Sequence, residues 1–299
     1  MGVRLKDLVF FAGKGGVGKT TCSVTYSIKC AENGAKTLVT STDPAHSISH
    51  LLERDLSDNA SRVMENLFAR EIDPAKEAKR HKERIMGEMR EVISPNKISS
   101  IESYLDMAHN SPGVRESAML DAIIDTIKNE EFDKLVFDTA PTGQTIRLLE
   151  LPEILDKWVE RLVGRRKKDL KRLKNVDASE IPGESLITRL VERRDRLEFA
   201  RDKIVDESSL IPVLTPQKLS LEETKEGVQL LEEIGVEIPG VIVNKFDKRS
   251  EEAREYQEER IMEIRDELDK DVLGKIPRME TEIIGIGDLK KTTQYLEID

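Results

Sequence analysis

Eight consecutive residues, Gly13-Lys14-Gly15-Gly16-Val17-Gly18-Lys19-Thr20, follow the apolar run Leu8-Val-Phe-Phe-Ala12 and lead into a stretch of helical periodicity that stops at Gly34. No other feature narrows the fold as far. Glycines at 13, 15, 16 and 18 let the backbone turn sharply and aim several N–H groups at one point, with no Cβ in the way. A helix opening at Gly18 adds its dipole and its unpartnered N–H groups, so strand, glycine loop, lysine, hydroxyl and helix together predict a phosphate site. In that arrangement Lys19 neutralises β- and γ-phosphate charge, and the Thr20 hydroxyl is a ligand for Mg²⁺.

Further apolar runs at 36–42, 68–72, 135–138, 210–214, 241–243 and 272–276 alternate with amphipathic stretches. One of these, 221–234, opens on a capping box formed by Ser220 and Glu223. Alternation of this kind predicts an α/β fold, a mostly parallel twisted sheet flanked by helices on both faces. Charged helical sequence at about 62–130 and 155–205 interrupts the repeat and reads as helical insertions into a single domain spanning 1–299. Hydrophobic residues make up 38% of the chain, enough for a sizeable core, and the formal net charge of −10 argues against nucleic acid as a general partner. The N-terminus reads as a strand rather than a signal peptide, and no apolar run reaches the roughly 18 residues of a membrane span, so a cytoplasmic protein is expected, with transient membrane association at most. Cys22 and Cys30 lie eight residues apart on one helix, about 12 Å along its axis, too far for a disulfide.

Two strand ends carry carboxylates. Asp43, in Ser41-Thr-Asp-Pro-Ala-His-Ser47, is positioned to orient an attacking water, and Asp138, ending 135–138, to hold Mg²⁺ through water. Lys14 gives the loop a second lysine at its front, and G-K-G-G-V-G-K-T resembles the signature of the deviant phosphate-loop ATPases. The segments D-P-A-H-S and D-T-A-P-T-G-x-T-x-R-L-L-x-x-P, from Asp43 and Asp138, are similar to the two switch loops of one branch. So are Ser111-Pro-Gly-Val-Arg-Glu116, Val241-Ile-Val-Asn-Lys245 and Ile276-Pro-Arg-Met279. On these segments the chain resembles, over nearly its whole length, the arsenical-pump-driving and tail-anchored-protein-targeting ATPases, of the archaeal type.

That resemblance implies a P-loop NTPase fold and Mg²⁺-dependent ATP hydrolysis by a homodimer that closes on ATP. Its client would be a hydrophobic membrane-protein segment, or its partner a membrane receptor or transporter; a septum- or partition-type positioning ATPase is the rival reading. Nucleotide contacts would come from Gly13, Lys14, Gly15, Gly16, Val17, Gly18, Lys19, Thr20 and Thr21, with Asn244 and Pro277 at the adenine. Mg²⁺ would fall to Thr20, Asp43 and Asp138, and catalysis to Asp43, Lys14 and Lys19. Lys14 would cross to the partner's nucleotide, although a lysine so close to its own phosphates could equally act within its own subunit. Asn244-Lys-Phe-Asp247 also fits the guanine-reading N-K-x-D of GTPases, which keeps GTP open as an alternative.

Departures from the family pattern carry information too. Gln144 stands where histidine is usual and Arg115 where an acidic residue is usual. The sequence has no C-x-x-C, so no zinc is expected, and two cysteines cannot supply the three thiolates of an arsenite site. His46 and His50 lack a third ligand. Residues 155–205 hold 15 Lys or Arg against 10 Asp or Glu, densest at Arg165-Arg-Lys-Lys168. The same region has an apolar stripe through Leu155, Trp158, Val159 and Leu162, then Leu186, Ile187, Leu190, Val191 and Leu197. Such a stripe is either core or a client groove, and Met86 and Met89 offer a second, smaller groove.

Overall fold

Continuous apolar runs become strands that are covered on both faces. In the computed structural model, which describes residues 3–42, 47–90, 112–129, 131–138, 184–247 and 249–298, they form one eight-stranded sheet. The strands are β1 (Leu8–Ala12), β2 (Thr37–Ser41), β3 (Ser61–Met64), β4 (Leu67–Glu71), β5 (Lys134–Asp138), β6 (Ser208–Leu214), β7 (Val241–Phe246) and β8 (Val272–Pro277). Their order across the sheet is β3-β4-β2-β5-β1-β6-β7-β8, and every neighbouring pair is parallel except β3 with β4.

The helices are α1 (Lys19–Glu32), α2 (Ser47–Leu52), α3 (Pro74–Arg90), α4 (Pro112–Ile127), α5 (Glu184–Glu207), α6 (Lys218–Ile234), α7 (Glu251–Leu268) and α8 (Gly285–Thr292). Alternation along β1 divides the core. Val9 and Phe11 enter the cluster built with α1 and α8, through Val24, Ile28 and Leu289, whereas Leu8 and Phe10 enter the cluster built with α4, α5 and α6, through Ile123, Ile204, Val228 and Leu231. At the β1/β5 seam the register partners Phe10 and Phe137 stack with centroids 4.9 Å apart.

Two sequence expectations need correction. The edge strand β3 falls where helical insertion was expected. Only Val63 of its four residues is buried, so it carries no apolar run. It pairs with β4 across Glu65-Asn66, where Asn66 takes a φ of 59°, a left-handed conformation asparagine tolerates. The capping box does not form either. Helix α6 starts at Lys218 with Gln217 before it, and the Ser220 hydroxyl, already inside the helix, accepts the Thr215 N–H at 3.1 Å.

Because Phe10 fills the seam next to the loop strand, Phe10→Ala should cost about 3–5 kcal/mol, the usual price of a fully buried aromatic. A urea titration followed by far-UV circular dichroism would show this as a lower midpoint at unchanged slope.

Candidate active site

The loop leaves β1 at the centre of the sheet, where the chain has connected to one side through β2 and to the other through β6, so it opens into the crevice at the carboxyl ends of the strands. Two glycines let it sit there. Gly13 has φ +149°, and a Cβ on it would meet the Val213 carbonyl oxygen at 2.3 Å. Gly18, at φ +94°, would put a Cβ 2.1 Å from Asn244 Nδ2. Around Gly15, by contrast, a Cβ would meet nothing within 4 Å, which leaves the outer side of the loop open.

Lys19 opens α1 and is buried, and its ammonium folds back to donate to the Lys14 carbonyl at 3.2 Å. Thr20 donates to Asp138 Oδ2 at 2.6 Å and lies 3.1 Å from the Ser47 hydroxyl of α2. Asp138 is buried at the end of β5, beside both the loop strand and β2. Its carbonyl accepts the Thr42 N–H at 3.1 Å, which fixes the residue preceding Asp43. Asp43 itself lies outside the described residues.

Glu71, at the end of β4, was not singled out by sequence because nothing local marks it. Its buried carboxylate accepts from Ile48 N at 2.8 Å and Ser49 N at 3.0 Å through one oxygen, and from Ser49 Oγ at 2.7 Å through the other. These charge-assisted bonds anchor the first turn of α2, and with it Ser47, to the sheet.

Asn244 is buried on β7. Its Nδ2 donates to the Val17 carbonyl at 2.8 Å and its Oδ1 accepts the Lys245 N–H at 2.8 Å, so the carboxamide braces the loop from below. Lys245, at φ 60°, donates from Nζ to the Gly16 carbonyl at 2.6 Å. Pro277 ends the neighbouring strand β8, opposite Phe246 in register. Asp247 is engaged by Arg249, whose Nε lies 2.9 Å and 3.1 Å from its two oxygens, and this pairing lowers the carboxyl from its ordinary 3.8 to about 2. Lys14, at the front of the loop, pairs with Glu223 of α6 at 2.6 Å within the same chain.

The structure gathers the loop, Asp138, Asn244 and Pro277 toward the carboxyl ends of β1, β5, β7 and β8. Several other candidates lie outside the described residues: Asp43 to His46, Pro141 and Gly143 with Gln144, the basic tract, and the first part of the 155–205 stripe. Leu197 is buried in a cluster with Leu120 and Ile124 of α4, and Met86 is buried as well, so neither offers a surface to a client. Both cysteines are buried in α1. Burial pushes each thiol up, and the Asp138 carboxylate adds to the effect at Cys22. Among the described residues no group of three His, Cys, Asp or Glu could hold a metal ion, and no helix is long and apolar enough to cross a membrane.

A glycine loop between the central parallel strand and its helix, with a lysine, a hydroxyl and a neighbouring strand-end carboxylate, defines a phosphate-loop nucleotide hydrolase. The sequence profile of the family described as anion-transporting ATPase matches residues 6–297. An arsenical pump-driving ATPase 2 assigned in Aquifex aeolicus (strain VF5) is 32% identical over 97% of this chain and 98% of its own length. An ATPase ASNA1 homolog 1 of Paramecium tetraurelia is 28% identical over 96% of this chain and 91% of its own. An ATPase GET3 of Rhodotorula glutinis is 31% identical over 80% of this chain and 69% of its own. The chain belongs to the anion-transporting ATPase family and is an ATPase.

Since the Arg249 side chain is the largest cause of the low Asp247 value, Arg249→Ala should raise that carboxyl from about 2 toward its ordinary 3.8, with the backbone N–H of residue 249 and Arg278 keeping part of the effect, measurable by carbon-detected NMR titration. A lowered carboxylate stabilises above its unfolded pKa. The stabilisation from the Asp247–Arg249 pair should therefore be full above pH 4 and decline as pH falls from about 4 to about 2, with the contact itself broken only as pH falls through about 2.

Proposed function

We propose that the protein is a Mg²⁺-dependent ATPase that works as a nucleotide-switched homodimer and uses the cycle to capture hydrophobic tail-anchored membrane-protein segments for delivery to a membrane. The observation that carries the catalytic half is the contact of the Thr20 hydroxyl with the Asp138 carboxylate at the mouth of the loop. A hydroxyl and carboxylates are hard oxygen donors, the set that suits Mg²⁺, which takes few protein ligands and keeps several waters. Thr20 would bind the ion directly, and Asp43 and Asp138 partly through water. The bound ion would neutralise charge on the β- and γ-phosphates.

In this reading the backbone of Gly13 to Gly18, with Lys19 and the N-terminal residues Thr20 and Thr21 of α1, holds the phosphates, while Asp43 orients the attacking water. Lys14 reaches across to the partner's nucleotide. Asn244 and Pro277 flank the base. Asn244 gives one N–H to the loop and accepts one from the Lys245 backbone of its own strand, and its remaining donor and acceptor match an adenine edge. ATP is favoured over GTP because Arg249 already occupies the carboxylate that guanine would need.

The switch segments resemble those of both the arsenical-pump and the tail-anchor-targeting ATPases, and the client half rests on the cysteines, which favour the second. Soft-metal activation needs exposed thiolates, and the two thiols of this chain are buried with raised pKa values.

Asp43→Asn should retain ATP binding while slowing turnover by roughly 10²-fold or more. The same variant, held in its ATP state, should copurify with tail-anchored segments. Turnover within a few-fold of wild type would take Asp43 out of the mechanism. A transporter in place of hydrophobic segments would replace capture by pump driving. In competition binding ATP should displace GTP, and a GTP preference abolished by Asp247→Ala would reverse the base assignment.

A further inference from the structure

Lys14 is held at two points, and both holds are internal to one chain. Its ammonium pairs with Glu223 of α6 at 2.6 Å, and its carbonyl accepts from the Lys19 ammonium at 3.2 Å. Both hold the lysine that the proposed cycle requires to leave. The pair is half solvated, with Lys14 and Glu223 side chains 50% and 38% exposed. Ion pairs of that exposure bias a population by only a factor of about 2 to 5 and are weakened by salt. The contact is therefore strong enough to set a resting position and weak enough for phosphate charge to displace it. Beside it, a cavity of about 210 Å³ lined by Gly13, Lys14, Pro212, Glu223 and Gly227 gives the front of the loop room to shift.

We infer that Glu223 is the resting counter-ion of Lys14, a positioning residue that biases this lysine toward its own subunit, a bias relieved when nucleotide occupies that same subunit. The inference rests on the reading that Lys14 acts on the nucleotide of the second copy. The coupling follows from the shared residue. Phosphates entering the loop draw the Lys19 ammonium off the Lys14 carbonyl, because a phosphate oxygen is the stronger acceptor for an ammonium. The Lys14 peptide is then free to turn, and the residue, now held only through its ammonium by Glu223, exchanges one carboxylate for the larger negative charge of the partner's nucleotide. Loading a subunit's own site thus favours release of its lysine by a factor of about 2 to 5, and closure is favoured most when both sites hold nucleotide.

The test measures the ATP concentration giving half-maximal closure of the full-length dimer, by energy transfer between labelled subunits, at about 50 and 500 mM salt. Glu223→Gln should lower that concentration about 2- to 5-fold at low salt and not at high salt. Glu223→Lys should shift it further in the same direction, while Glu222→Gln, an identical charge change one residue away, should not shift it. In a Lys14→Ala background Glu223→Gln should have no effect. A shift that persists in that background, survives high salt or is matched by Glu222→Gln overturns the inference. If Lys14→Ala impairs closure but Glu223→Gln leaves the midpoint unmoved, Glu223 alone is ruled out. If Lys14→Ala closes as the wild type does, the trans role of Lys14 falls and the inference falls with it.

Discussion

The site depends on how closely the loop after β1 lies on its neighbours. Gly13 sits against the backbone of β6, and Gly18 sits against the carboxamide of Asn244 on β7, so the loop is shaped by two strands that come much later in the chain. Asn244 is the more instructive contact. It is a buried polar side chain that repays its desolvation by binding the Val17 carbonyl, and it carries β7 along with it. Without that brace a glycine-rich loop would have many conformations of similar energy, and the N–H groups it offers would not converge.

Much of this was legible in the sequence, for physical reasons that differ by element. Strands in the middle of a parallel sheet are buried on both faces and show as unbroken apolar runs, so β1, β2, β5 and β6 were readable at once. Strand β7 was read short because Asn244-Lys-Phe continues it with residues that serve the loop rather than the core. Strand β3 was missed because an edge strand with one buried residue has no periodicity to find; its one local sign was an asparagine suited to a tight turn. Lys14, Lys19 and Thr20 announced themselves by spacing. Their partners did not. Glu223 stands 209 positions from Lys14 and had the look of a helix cap, and Glu71 ends a strand with nothing nearby to mark it as an anchor.

The family assignment and the geometry support each other at different levels. Similarity over 6–297 gives the class of reaction, while the structure gives the groups that hold the loop in this chain, including the ion pair at Lys14, and shows that Arg249 engages the Asp247 carboxylate. Both cysteines sit in the helix that follows the loop, buried as small core residues.

Asp138 serves two neighbours with two different parts of itself. Its carbonyl belongs to the sheet and ties down Thr42; its carboxylate belongs to the site and meets Thr20. The first attachment is part of a cooperative ladder and has no reason to change when the second is exchanged for another ligand. One residue therefore provides a stationary datum for the strand end leading to Asp43 and a replaceable contact for the helix that carries Thr20. Chemical events at the loop can be registered against the hydrogen-bonded strand end, as a gauge needs a fixed zero before its needle means anything.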